Sequence, residues 1–280
     1  MAGTLYLVAT PIGNLEDITL RALRILKEVA LIACEDTRQT NKLLQRYQID
    51  SPTISYHDHN EHARTPQLLA RLIAGESIAV VSDAGTPAIS DPGFLLVHEA
   101  IANQIPIVSI PGPSALLTAL TASGLPTDEF LFVGFLPART GERQRRLNEL
   151  TTIRATLIFY EAPHRILHTL TDAYKIFGPR PAVIARELTK VHEQFLRGTL
   201  DQLLIQLQKE PPRGELVVII EGATAAQPQT VQQTTSLRDA VAEKMQSENL
   251  DKMAALKAVA RVLGISKSEA YRRLQIEEKI

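Results

Sequence analysis

Tryptophan is missing from these 280 residues, and cysteine occurs once, at Cys34. A single cysteine excludes an internal disulfide framework and any cysteine-rich zinc site, and a cytoplasmic location is expected. No apolar run approaches the roughly 20 residues that a membrane-spanning helix requires. MAGTLYLVATPIG passes straight into a strand pattern, so no leader is expected either. Charge of one sign is missing too: the formal net charge is -1, which confines any nucleic-acid contact to local basic patches. The lack of tryptophan, with aromatics at 5%, argues against aromatic stacking platforms. Three motifs are absent as well: G-x-G-x-x-G, G-x-x-x-x-G-K-[ST] and G-x-S-x-G. Dinucleotide, P-loop and hydrolase-elbow readings therefore fail.

What remains is an ordinary globular composition, 45% hydrophobic and 22% charged. The chain is too long for one small core, so two domains and an appendage are expected. LYLVAT, ALIAC, TISYH, IAVVS and IPIVSI read as strands, separated by stretches with apolar positions three and four apart. That alternation predicts a mostly parallel sheet covered on both faces over residues 1–124. The helix at 15–28 has Asn14 as its expected N-cap, with Glu16 and Asp17 in the first turn. GLPTDEF breaks the pattern near 124–130. FLFVGF, ATLIFY, AVIARELT, EQFLRG and GELVVIIEG then mark a second α/β lobe over 125–225, with some antiparallel pairing. ATAAQPQTVQQTTS has linker composition, placed at 226–236. Three helical segments (237–248, 251–263 and 266–276) complete a 237–280 module. Gly264 and a Ser266–Glu269 capping box there suggest a helix-turn-helix.

Ligands collect at the carboxyl ends of parallel strands, and this chain crowds those ends. TPIGN (10–14), CEDTR (34–38), HDHNEH (57–62), SDAGTPAISDPG (82–93) and PGPSA (111–115) follow the first five strands. Glycine and proline punctuate turns anyway, yet five such loops on one rim point to a binding site. A strand would set His57 and His59 on one face, without the i, i+4 spacing of a helical ligand pair. A substrate-positioning loop is favoured over a metal, and no metal is expected.

GTLYLVATPIGNLEDITLRAL, ACEDTR, HDHNE, VVSDAGTPAISDPG, IPGPSA, FYEAPHR and ARELTK, in this order, resemble the tetrapyrrole methylase superfamily. Within it they resemble the ribosomal RNA small subunit methyltransferase I family, from about residue 3 to the end of the chain. The resemblance implies two α/β lobes with S-adenosyl-L-methionine folded into the cleft between them, and a homodimer. It implies 2′-O-methylation of a cytidine ribose in the decoding region of 16S RNA, in the small ribosomal subunit. The superfamily often carries Gly-Asp-Pro after its fourth strand; Ser82-Asp83-Ala84 stands there in this chain. Pro11, Ile12, Asp83, Ala84, Gly85 and Thr86 are the expected cofactor contacts from the first and fourth strand ends. Gly112, Pro113, Ser114 and Ala115 are those of the fifth, with the Ser114 hydroxyl at a helix start suited to the carboxylate tail. Tyr160 and Ala185 are expected to close over the adenine end from the second lobe.

A sugar hydroxyl needs its proton drawn off before it attacks. Glu35 and Asp36, together with His57 and its neighbours Asp58 and His59, are the candidate bases, and the choice among them stays open. Arg38 is a candidate phosphate clamp. Glu35, Asp36 and Arg38 also read as a brace for the next helix. An RNA substrate calls for local positive charge. Residues 137–154 hold five arginines against two glutamates. Lys252 to Arg273 holds six basic residues against one Glu269. Arg143, Arg145, Arg146, Lys257, Lys267, Arg272 and Arg273 are the expected RNA contacts. Two alternatives are a small-molecule methylase acting on a tetrapyrrole and a non-catalytic RNA-binding assembly factor. The basic segments oppose the first, and the intact cofactor loop opposes the second.

Overall fold

A computed structural model describes residues 2–210, 212, 214–224, 241, 242, 244, 245, 251–262, 270–272 and 274. The chain forms two compact units, Met1–Ala223 and Thr224–Ile280.

The first unit contains two five-stranded sheets. The first sheet is built from β1 (Leu5–Val8), β2 (Leu31–Cys34), β3 (Thr53–Ser55), β4 (Ile78–Val81) and β5 (Ile107–Ile110). Its order is β3-β2-β4-β1-β5, and every pairing is parallel. The central strands LIAC and IAVV are buried at every residue. That is why they read as unbroken apolar runs: helices cover both sheet faces. Helices α1 (Leu20–Glu28), α2 (Thr37–Arg46), α3 (Glu61–Ile73) and α4 (Phe94–Ala102) link the strands. Two apolar clusters result, one centred on Leu26 and Ile32, the other on Leu68, Leu72 and Ile78.

The helix expected at 15–28 is split in two. Asn14 accepts the Glu16 N–H at 3.1 Å and caps a short 3-10 turn, Leu15–Asp17. Ile18 and Thr19 are extended, and the Thr19 hydroxyl then caps α1 by accepting the Ala22 N–H at 3.1 Å. Two β-branched residues in sequence resist helix, and threonine makes the better start.

After α5 (Ala115–Thr121), the second sheet begins at β6 (Phe130–Phe135). It continues with β7 (Thr156–Glu161), β8 (Pro181–Arg186), β9 (Gln194–Thr199) and β10 (Leu216–Ile220), in the order β6-β7-β10-β8-β9. β6 runs parallel to β7, and all other pairings are antiparallel. Helices α6 (Thr140–Glu149), α7 (Ile166–Phe177) and α8 (Leu200–Lys209) cover its outer face around Leu147, Leu170 and Leu203. Its inner face is covered by α5, whose Ala119 and Leu120 share a cluster with Ile158, Val183, Val217 and Ile219. That helix joins the two sheets into one body. Each fully buried aliphatic side chain there contributes about 1.5–3 kcal/mol.

In the second unit, α9 (Lys252–Val262) starts where Asp251 Oδ1 accepts the Ala254 N–H at 2.7 Å. Ala255, Leu256, Val259 and Ala260 face Val241, Ala270 and Leu274 in one apolar cluster. Gly264, the Ser266–Glu269 capping box, Lys267 and Arg273 lie outside the described residues. Among the described residues, no helix is long and apolar enough to cross a membrane.

Candidate active site

The loop at 82–93 is fastened to its neighbours. Thr10 and Gly85 exchange both backbone hydrogen bonds at 2.9 Å, and Thr10 Oγ1 donates to the Ser82 carbonyl at 3.0 Å. Ser82 Oγ donates to the Gly85 carbonyl at 3.1 Å, and Thr86 Oγ1 to the Pro113 carbonyl at 3.2 Å. The fourth strand end is thereby tied to the first and the fifth. Ala88 (φ 64°) and Ser90 (φ 61°) hold left-handed backbone without being glycine. Each costs of order 1–3 kcal/mol, which only a surrounding structure that fixes the loop can hold in place. The length of the loop is the cost of fixing a surface, not of making a turn.

That surface forms one side of a cavity of about 640 Å³ between the sheets. From the first lobe come Ile12, Glu35, Asp83, Ala84, Gly85, Thr86, Ser114 and Ala115, eight of the residues expected from the sequence. Ile89, Ser90 and Asp91 join them. Tyr160 lines the opposite side with Phe135, Glu161, the 187–190 turn and the segment 214–217. The lobes meet directly where the Asn14 N–H donates to Thr189 Oγ1 at 3.0 Å. A Cβ on Gly13 would stand 2.7 Å from the Leu188 carbonyl oxygen, so glycine permits that approach.

The cavity is acidic. Glu35, Asp83, Asp91, Glu161, Glu187 and Glu215 line it, against Lys190, which is already paired with Glu187 at 3.0 Å. Burial, then the charges of Glu35 and Asp83, push the Asp91 carboxyl up to about 7. Burial also raises Glu35, helped by the negative charges of Asp83 and Asp58. Glu161 is occupied otherwise. Its oxygens accept from the Ala162 N–H at 2.8 Å and from Thr169 Oγ1 at 2.5 Å, and Arg165 stands 3.4 Å away. Among the described residues, no group of three His, Cys, Asp or Glu side chains could hold a metal ion.

The remaining expected residues stand off the cavity. Asp36 caps α2 by accepting the Arg38 N–H at 2.8 Å, and its carboxylate grips the Arg38 guanidinium at 2.7–3.2 Å. Those bonds hold its carboxyl down at about 2. His57 Nε2 lies 3.1 Å from Asn60 Nδ2, and its Nδ1 is buried without a hydrogen-bond partner. It stands near enough to Glu35 to draw that carboxyl down. Pro11 is half-buried next to Ile12, Gly112 lies against Ala9, and Pro113 serves Thr86 through its carbonyl. Ala185 is 1% exposed inside the cluster between α5 and the second sheet.

Arg143 requires a correction. It is not a surface cation: its guanidinium pairs with Asp172 at 2.7 Å and donates to the Ala138 carbonyl at 2.9 Å, fully inside the second lobe. On α6 the apolar face passes through 143 and 147, and the run of arginines hid that phase. Arg145 is exposed, Arg146 pairs with Glu149 at 2.7 Å, and Lys257 and Arg272 are exposed on the second unit. Sequence reasoning passed over Asp91, although it stands in the same loop as Asp83. It also passed over Phe135 and Glu215, which only the pairing of distant strands brings to the cavity.

Two α/β lobes enclosing one cleft is an architecture found in solved methyltransferases. A crystal structure of uroporphyrin-III C-methyl transferase from Thermus thermophilus, complexed with S-adenyl homocysteine, is 19% identical to this chain. That likeness covers 78% of this chain and 97% of the other, at a TM-score of 0.54. The chain belongs to the Tetrapyrrole (Corrin/Porphyrin) Methylases family, whose pattern matches residues 4–204. A curated relative from Synechocystis, called Ribosomal RNA small subunit methyltransferase I, is 49% identical over 99% of this chain and 94% of its own length. One of the same name from Halalkalibacterium halodurans is 54% identical over 79% of this chain and 76% of its own.

Proposed function

We propose that this chain is an S-adenosyl-L-methionine-dependent methyltransferase acting on 16S RNA of the small ribosomal subunit, and that it methylates the ribose 2′-hydroxyl of a cytidine. The near-half identity to a small-subunit ribosomal RNA methyltransferase over almost the whole chain carries the reading. The ribose position and the cytidine rest on the resemblance of the strand-end motifs. A homodimer in the cytoplasm belongs to the same reading. So do two α/β domains at 1–124 and 125–225, a linker at 226–236, and an RNA-delivering module at 237–280.

The cavity fits the cofactor on its own chemistry. A lining with more carboxylates than cations suits a ligand with a sulfonium and an ammonium, and about 640 Å³ holds a molecule of that size. When bound, S-adenosyl-L-methionine supplies an electrophilic methyl group on a cationic sulfur. Asp83, Ala84, Gly85 and Thr86 would hold it from the first lobe together with Ile12, Ser114 and Ala115, and Tyr160 would meet it from the second. The Ser114 hydroxyl makes no capping bond to its helix and is available as a donor. Displacing a methyl from sulfur to oxygen neutralises charge, so alignment by this fixed frame matters more than new electrostatic stabilisation.

The chain must also take the hydroxyl proton. Of the carboxylates that line the cavity, Glu35 and Asp91 have a raised affinity for a proton. A base that titrates near neutrality accepts a proton without being idle at cellular pH. Asp91, pushed up to about 7, meets that condition. Asp36 is spent on capping, and His57 stands behind Glu35 as a neighbour of the base. Arg38 and Arg145, both exposed, would meet phosphates.

Transfer of labelled methyl to small ribosomal subunits lacking the modification, run beside a tetrapyrrole acceptor, tests the proposal. Label in the RNA alone supports it. Label in the tetrapyrrole alone refutes it.

A further inference from the structure

Phe135 is large, apolar and 52% exposed, an unfavourable placement for an aromatic side chain. The backbone takes trouble to put it there. Phe132 pairs with Ile158, Gly134 with Phe159, and Phe135 with Tyr160, so Val133 and Gly134 together oppose one residue of β7. This is a β-bulge, and a bulge re-aims the side chains that follow it. Phe132 and Phe135 are three apart, which in a regular strand puts them on opposite faces. The bulge returns both to the cleft face, the face of Ile158 and Tyr160. Without it Phe135 would point toward Leu131, Val133 and Leu136 in the outer core.

Gly134 makes the bulge possible. Its φ is +75°, left-handed backbone where a side chain is strained, and a Cβ there would come 3.3 Å from Ser90 Oγ. The bulge therefore sits against the fixed 82–93 loop. Phe135 meets the Tyr160 ring edge-on at 5.7 Å, and Tyr160 meets Phe132 at 4.9 Å. Phe135 is the most exposed of the three rings, and Ile89, 42% exposed, lines the cavity with it.

We infer that Phe135 is the stacking platform for the base of the nucleotide being methylated. The inference rests on the function proposed above and deepens it. A ribose hydroxyl can reach the cavity only if its nucleotide leaves its stack, and the exposed base then needs an apolar face. The carboxylate lining repels phosphate, so the base rather than the backbone goes to the aromatic rim. Tryptophan is not needed for a platform when a bulge aims a phenylalanine.

The test is steady-state methyl transfer to unmodified small ribosomal subunits by the full-length chain carrying Phe135→Ala, Phe135→Leu or Phe135→Tyr. Cofactor affinity is measured by calorimetry and mass by light scattering. Base stacking of the usual strength predicts that Phe135→Ala lowers kcat/KM for RNA about 5- to 150-fold. Phe135→Tyr should restore it and Phe135→Leu should not, with cofactor affinity and mass unchanged. Wild-type rates in Phe135→Ala, full activity in Phe135→Leu, or a changed mass would overturn the assignment. A loss of cofactor affinity matching the loss of activity would overturn it too. A wild-type chain inactive on RNA would take down the proposed function itself.

Discussion

The backbone N–H of Asp36 donates to Oδ1 of Asp83 at 2.9 Å, joining the loops that leave two adjacent strands of the first sheet. The Asp36 side chain meanwhile turns away to cap its helix and hold Arg38. One residue thus serves α2 through its carboxylate and the cavity through its main chain. Asp83→Ala removes both the charge and the acceptor, and cofactor affinity should fall at least about tenfold. Asp83→Asn keeps an oxygen for the Asp36 N–H and should lose less. Calorimetric titration of the two variants checks the order.

As the proposed base, Asp91 would link activity to pH. With its carboxyl pushed up to about 7, the base form grows as pH rises through neutrality, and kcat/KM should rise with it. Asp91→Asn should lower the rate and flatten that limb. Stability runs the other way. A carboxyl whose folded value lies above its unfolded one holds extra protons in the folded state. Its stabilising contribution is complete below about 4 and is lost as pH rises through 7. Thermal melts of Asp91→Asn should therefore gain on wild type at pH 8 and not at pH 4.

Arg143 and Arg145 are two positions apart on α6 and should behave as opposites. Removing one partner of a buried ion pair costs about 3–5 kcal/mol, so Arg143→Ala should drop the Tm by roughly 6–20 °C. Arg145→Ala should leave the Tm alone, weaken RNA binding, and reduce the salt slope by about 1. Melting curves and binding titrations at several salt concentrations separate the two.

The parallel sheet was legible because its central strands are buried on both faces and read as bare apolar runs. The strand-end rim was legible for the same reason, since five polar loops follow five such runs. Arg143 was misread because a sequence shows charge and not phase: α6 turns one arginine of a cluster inward. Phe135 was hidden by its own device. A period-2 reading of FLFVGF sends Phe132 and Phe135 to opposite faces, and the bulge at Val133–Gly134 cancels that parity. Asp91 and Glu215 meet across more than a hundred residues of chain, a closeness that no local pattern carries.

The second unit, Thr224–Ile280, is compact in itself. Truncation after residue 235 should weaken binding to the ribosomal subunit while cofactor affinity stays within about twofold, because the described cavity lies wholly in the first unit. Paired calorimetry and filter binding check this. Loss of cofactor binding would show that the two functions are not divided as proposed.

The most direct measurement is nucleoside analysis of small-subunit RNA after incubation with the purified chain and labelled S-adenosyl-L-methionine. The account predicts label in 2′-O-methylcytidine, in a linkage that survives alkaline hydrolysis because the 2′-hydroxyl is blocked. Label on a base, or labelled RNA that alkali cleaves fully at the modified position, would contradict it.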